Sequence, residues 1–170
     1  IQVDATGDSA FTISGEPTDG GRSQAAVADI AAARDWFGTI DVIGQRFVSV
    51  PGRFQPVEYR VQDPSGAYGG PMIDLLEGSY PVAAAEVAVT DGTAAEFDLA
   101  IGATLSLDGT PRTVVGIVEN PRDLGEEFAL VAPAVATEVD SITILVDADE
   151  ERANAFRPPG GGLRTGGSKG

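Results

Sequence analysis

The stretch that most limits the fold is Val114-Val115-Gly116-Ile117-Val118, inside a run from Arg112 to Glu119. It is apolar on both faces, so it belongs in the middle of a sheet covered on two sides rather than on a wet surface. Asp108-Gly109 precedes it and separates it from Thr104-Leu105-Ser106-Leu107. Asp-Gly between alternating runs is the strongest short-range hairpin signal, and Gly102 opens the unit. The rest of the chain must therefore supply neighbouring strands and helices to cover them.

Those neighbours are legible. Thr39 to Val50 and Val57 to Val61 read as strands around the Pro51-Gly52 turn, and Glu58 and Arg60 alternate with Val57, Tyr59 and Val61, which predicts one wet face. Asp63-Pro64-Ser65-Gly66 ends the second strand, with the glycine free to turn left-handed. Further strands are expected at Ala10 to Ile13, Glu86 to Thr90, Phe128 to Val131 and Ser141 to Val146. Helices are expected in four other places. One of about three turns follows Ser23 as N-cap and stops at Gly38, laying Val27, Ile30, Ala31 and Arg34 on the sheet. A second, short one covers Pro71 to Leu76. The third starts at a Thr93-Ala94-Ala95-Glu96 capping box and ends near Leu99. A last helix follows Asp147, with Asp149, Glu150 and Glu151 in its first turn and Pro158-Pro159 as its stop. The fold class is α+β.

Composition narrows the chemistry. The 170 residues include no cysteine and no histidine, which removes thiol nucleophiles, imidazole bases and every ordinary zinc site. The one lysine, Lys169, lies in a glycine-rich stretch where nothing would desolvate it. Eleven basic against 26 acidic residues give a net charge of −15, a field that repels phosphate backbones, so no nucleic acid is expected as partner. No segment approaches the roughly 20 apolar residues of a membrane-spanning helix.

The remaining candidates for chemistry have simpler explanations. Asp91-Gly92-Thr93 and Asp108-Gly109-Thr110 carry glycine second and suit turns, not the Asp-Thr-Gly order of aspartyl proteases. The cluster Asp147, Asp149, Glu150 and Glu151 has Arg152 where a calcium loop needs glycine and Pro158 where it needs a bidentate glutamate. Gly20-Gly21 and Gly69-Gly70 fit no phosphate-binding fingerprint. Arg46, Arg53 and Arg60 read as solvated edge charge, and Tyr68, Tyr80, Phe47 and Phe54 as ends of a small core or as interface anchors. No catalytic, cofactor-binding or metal-ligating residue is assigned.

The order of motifs from Val57 onward carries a resemblance. Asp63-Pro64 leads to Leu76-Glu77-Gly78-Ser79-Tyr80-Pro81, then Glu86-Val87-Ala88-Val89, then Leu99-Ala100-Ile101-Gly102, then Arg112-Thr113-Val114-Val115-Gly116-Ile117-Val118-Glu119-Asn120-Pro121. This succession, over roughly half the chain, resembles the extracytoplasmic domain of FtsX-like, MacB-type (type VII) ABC transporter permeases, in the version found in GC-rich Gram-positive, actinobacterial genomes. The resemblance implies a piece of a longer membrane protein, exposed on the extracellular face of the cell membrane. It implies a mixed α/β porter-like part from residues 23–63 and 138–157 and a small β-rich sabre-like insert at 67–132. Residues 1–22 have no counterpart, and 158–170 read as a flexible linker or appended tail. The implied role is mechanical and non-catalytic, with no cofactor in this domain: ATP is hydrolysed by a separate cytoplasmic subunit, permeases pair as a dimer, and an extracellular protein or a lipid or peptide substrate is moved or signalled to. Two other readings compete, a free secreted binding module and a carboxylate-based hydrolase.

Overall fold

The computed structural model describes residues 2–3, 8–14, 21–49, 56–107, 109–133 and 139–159. In chain order its elements are β1 (Gln2–Val3), β2 (Asp8–Ser14), α1 (Gly21–Phe37), β3 (Ile40–Val48), β4 (Val57–Val61), a single 3-10 turn (Gly70–Met72), β5 (Asp74–Gly78), β6 (Glu86–Thr90), α2 (Asp91–Phe97), β7 (Thr104–Leu107), β8 (Thr110–Glu119), β9 (Phe128–Val131), β10 (Ser141–Asp147) and α3 (Glu150–Ala155). The strands form one mixed sheet in the order β1-β2-β10-β3-β4-β9-β6-β8-β5, with β7 also on β8. The β4–β9 and β6–β8 pairs are parallel. The fold is α+β.

The hairpin expectation holds in register: Leu107 faces Thr110, and Gly109 takes the positive φ of 70° that such a turn requires. Its Asp108, the Pro51-Gly52 turn with Arg53 and Phe54, and the stretch from Gly160 on lie outside the described residues. β8 is long enough to carry β7 and β5 in tandem along one edge while β6 fills the other. Both faces of the neighbouring strands are dry. Val87, Val89, Ala129 and Val131 join Tyr59, Leu105 and Leu107 in one core. Ala88, Phe128 and Leu130 join Ile73 and Val118 in another on the opposite face, as the two-residue alternation of strands dictates. A third core lies under α1 and α3, around Ala33, Ile144, Val146 and Phe156.

Several expectations are corrected. Pro71 to Leu76 is no helix: Pro71 lies in the single 3-10 turn Gly70–Met72, Ile73 is already extended, and β5 pairs with β8. The outer edge of β8 needs backbone partners there, and that demand overrides the helical spacing of Ile73, Leu76 and Glu77. Helix α1 begins at Gly21, before Ser23, and runs 17 residues. It ends where Gly38, at φ 87°, returns its amide to the Arg34 carbonyl. Its covered side is also turned. Asp29 and Ala33 are buried, Ile30 is half-buried, and Val27 and Ala31 are exposed, Val27 at 66%. Asp91 and Thr93 sit inside α2 rather than in a turn or at a cap. Thr90 is the N-cap residue, and no side-chain cap bond forms.

Candidate functional site

The wet face predicted for β4 is the most consequential correction. Glu58 and Arg60 alternate with Val57, Tyr59 and Val61 as expected, yet both are buried, Arg60 to 1% exposure, and so is Gln62 just past the strand. Arg60 is therefore not solvated edge charge. β4 is an interior strand, and its parallel register with β9 sets Glu58 beside Phe128 and Arg60 beside Leu130. The polar face thus meets the connections of the sheet instead of water.

What satisfies this face comes from three elements. Arg60 Nε donates to Glu58 Oε1 at 2.6 Å. Its two terminal nitrogens grip Glu126, which lies between β8 and β9, at 3.1 and 2.5 Å. The guanidinium also stacks 3.9 Å from the Phe128 ring centroid. Asn120 Nδ2 donates to Glu126 Oε2 at 2.6 Å, and Gln45 Nε2 on β3 donates to Glu58 Oε1 at 3.0 Å. Burial works against the charged guanidinium, but the bonds to Glu126 and Glu58 and their negative charges outweigh it, and Arg60 holds its proton more firmly than an ordinary arginine. Burial likewise pushes the Glu126 carboxyl up, but its bonds from Arg60 and Asn120 prevail and leave it below the usual range. An acid and a base that hold each other charged near neutral pH are poor proton-transfer agents and a strong tether.

Two further ties fasten connecting segments to the same sheet. Asp41 Oδ2 on β3 accepts the amides of Tyr68 and Gly69 at 2.6 and 2.7 Å, and Gln62 Nε2 donates to the Gly69 carbonyl at 2.8 Å. Gly66 has no left-handed φ. It is needed because a Cβ there would overlap the Asp41 carboxylate. At the start of α2, Glu127 Oε2 bonds the hydroxyls of Thr90 and Thr93, and a Cβ at Gly92 would collide with that carboxylate. Adjacent residues Glu126 and Glu127 therefore pin one connection to β4 and to α2 at once.

The remaining sequence candidates scatter. Phe47 is 57% exposed, and Tyr80 is half-buried, its hydroxyl donating to the Ile73 carbonyl at 3.0 Å. Asp149 caps α3 by accepting the Arg152 amide at 2.7 Å. Among the described residues no group of three or more acids is placed to hold a metal ion, and no helix is long and apolar enough to cross a membrane. Sequence reasoning missed the Glu58–Arg60–Glu126 tether. The signal for it was an opposite-charge pair two residues apart on one strand face.

No protein-family profile matches this chain, and no curated protein sequence does. Solved structures do. The extracellular domain of YknZ, a noncanonic ABC-type transporter from Gram-positive bacteria, superposes with a TM-score of 0.57 and 10% identity, over 88% of this chain and 90% of that one. The chain has the fold of that extracellular domain. A domain assigned to a permease protein of Porphyromonas gingivalis aligns over 71% of this chain and 61% of its own length, at 8% identity and a TM-score of 0.43.

Proposed function

We propose that this chain is the outer domain of an ABC transporter permease of the FtsX-like, MacB-type class, a non-catalytic element that passes mechanical work across the membrane surface. The observation that carries the reading is the likeness to the YknZ extracellular domain over nearly the whole of both chains, and the motif succession from Asp63 to Pro121 supports it independently. In this reading a separate cytoplasmic subunit hydrolyses ATP, two permeases pair, and the domain stands on the extracellular face, where it moves a substrate or signals to a partner. Residues 23–63 and 138–157 form its porter-like part, and 67–132 its insert.

The tether suits that work. A displacement applied to β3 and β4 reaches the insert through a continuous ladder, the parallel β4–β9 pair. Arg60 bridges β4 and Glu126 across the same junction with charge-assisted bonds, which stiffens the link against shear. Fractionation of native cells, with an antibody against this domain, tests the proposal. Recovery only in detergent-solubilised membranes, as a chain far larger than 17.4 kDa that co-purifies an ATPase, is the expected result. A soluble species near that mass would overturn it and favour a free secreted module.

A further inference from the structure

β5 ends the sheet. It pairs with β8 on one side, and among the described residues no strand lies on its other side. Such an edge leaves a row of backbone amides and carbonyls that can take up another strand. All five residues from Asp74 to Gly78 are exposed, Leu75 at 37% and Leu76 at 51%. β7 shares that side of β8, but its Leu105 and Leu107 are buried in the core. A register shift gives the β5 edge two unlike faces. Asp74 pairs with Glu119 and Leu75 with Val118, whereas Glu77 pairs with Ile117, which leaves Leu76 as an extra residue. On β8, Ile117 and Glu119 lie on one face and Val118 on the other. Without the extra residue Asp74 and Glu77, three apart, would point to opposite faces; with it both share the face of Glu119.

We propose that β5 is a docking edge for an extended segment of another protein in which basic and apolar residues alternate. Asp74 and Glu119 are like charges directly opposed across the ladder, an unfavourable pair on its own. Among the described residues neither they nor Glu77 form an ion pair, and no group of three or more acids is placed to hold a metal ion. A strand added to the edge supplies the missing cations: its basic side chains meet the three acids on one face, and its apolar ones extend the face of Leu75 and Val118. A second copy of this chain does not fit. Antiparallel pairing centred on Leu75 and Leu76 would set Asp74 against the second copy's Glu77, so the acids guard the edge against self-association. The net charge of −15 also draws a basic segment in and repels an acidic one. The inference rests on the edge itself and not on the permease reading.

The test follows the isotope-labelled 170-residue chain residue by residue with NMR and amide hydrogen exchange. It is titrated with the acetylated and amidated peptide Arg-Val-Arg-Val-Arg-Val, with the block peptide Arg-Arg-Arg-Val-Val-Val, and with the alternating peptide N-methylated at every amide. The block peptide keeps the charge but not the alternation, and the methylated one keeps the side chains but cannot donate to a ladder. The expected result is saturable binding of the alternating peptide, with exchange slowed about fivefold at residues 74–78 and both control peptides bound at least about fivefold more weakly. The double variant Asp74→Asn, Glu77→Gln changes two exposed side chains and should melt no lower than the parent, yet bind the alternating peptide about three- to tenfold more weakly. No protection at 74–78, equal affinity for either control peptide, or undiminished affinity in the double variant would overturn the inference. Protection of 74–78 by self-association of the free chain would overturn it as well.

Discussion

Replacing Arg60 with methionine tests whether the buried charge cluster holds the sheet junction together. Methionine keeps much of the apolar stem over Phe128 but leaves Glu58, whose side chain is 9% exposed, and Glu126, at 27%, without their common cation. Removing one partner of a buried ion pair typically costs about 3–5 kcal/mol, most of it from the abandoned charge rather than from the lost contact. With a urea slope of about 2 kcal/mol per molar, the denaturation midpoint should fall by roughly 1.5–2.5 M. Fluorescence of Trp36, the chain's one tryptophan, follows the transition. The triple variant Arg60→Met, Glu58→Gln, Glu126→Gln removes the stranded charges and should recover about 2 kcal/mol of the loss. If the single variant loses less than about 1 kcal/mol, or the triple is no more stable than the single, the cluster is not an electrostatic tether and the reasoning fails.

Acid should loosen the same junction. Despite burial, the bonds to Glu126 hold its folded-state value below its unfolded one, so its contribution is complete above the ordinary glutamate range and is lost as pH falls through the folded value. Urea midpoints measured down an acid series should show this loss, and Glu126→Gln should flatten it. Gly116→Ala would drive a Cβ into the Ser79 carbonyl oxygen on the β5 side and should cost about 1–3 kcal/mol in thermal melts, whereas Gly125→Ala, with its nearest neighbour Asp123 Oδ1 at 3.4 Å, should be close to neutral. Asp41→Ala strips the acceptor from two amides. It should cost about 1–3 kcal/mol and speed hydrogen exchange at Tyr68 and Gly69 while leaving Val89 protected.

Local chemistry explains which elements were readable from residues alone. β6, β9 and the β7–β8 hairpin carry their own turn signals and β-branched residues, and the structure places them at the expected positions. β5 does not. Asp-Leu-Leu-Glu is a good helical string, and only the unfilled edge of β8, some forty residues further on, makes it a strand. The helix faces failed for a similar reason: alanine is small enough to sit on either side, so Val27 and Ala31 could not be told from Asp29 and Ala33 until the sheet was in place. For Arg60, period-two alternation gives the side of the strand but not what lies over it. Its cover, Glu126, is 66 residues away in sequence, and no local pattern announces such a partner.

The place of β10 between β2 and β3 has a consequence for biogenesis. β2 pairs with β10 along its whole length, from Ser14 opposite Ser141 to Asp8 opposite Asp147, and among the described residues its one other strand partner is the two-residue β1. As the chain leaves the ribosome, β2 emerges early but has nowhere to dock until residues 141–147 follow. The hairpin and β6 can form beforehand from nearby segments, so assembly should run from the middle outward, with the amino-terminal strands recruited last. Until then β3 presents an open edge to the surroundings, and an arrested or truncated product ending before Ser141 would carry that edge permanently, as a template for pairing with its neighbours.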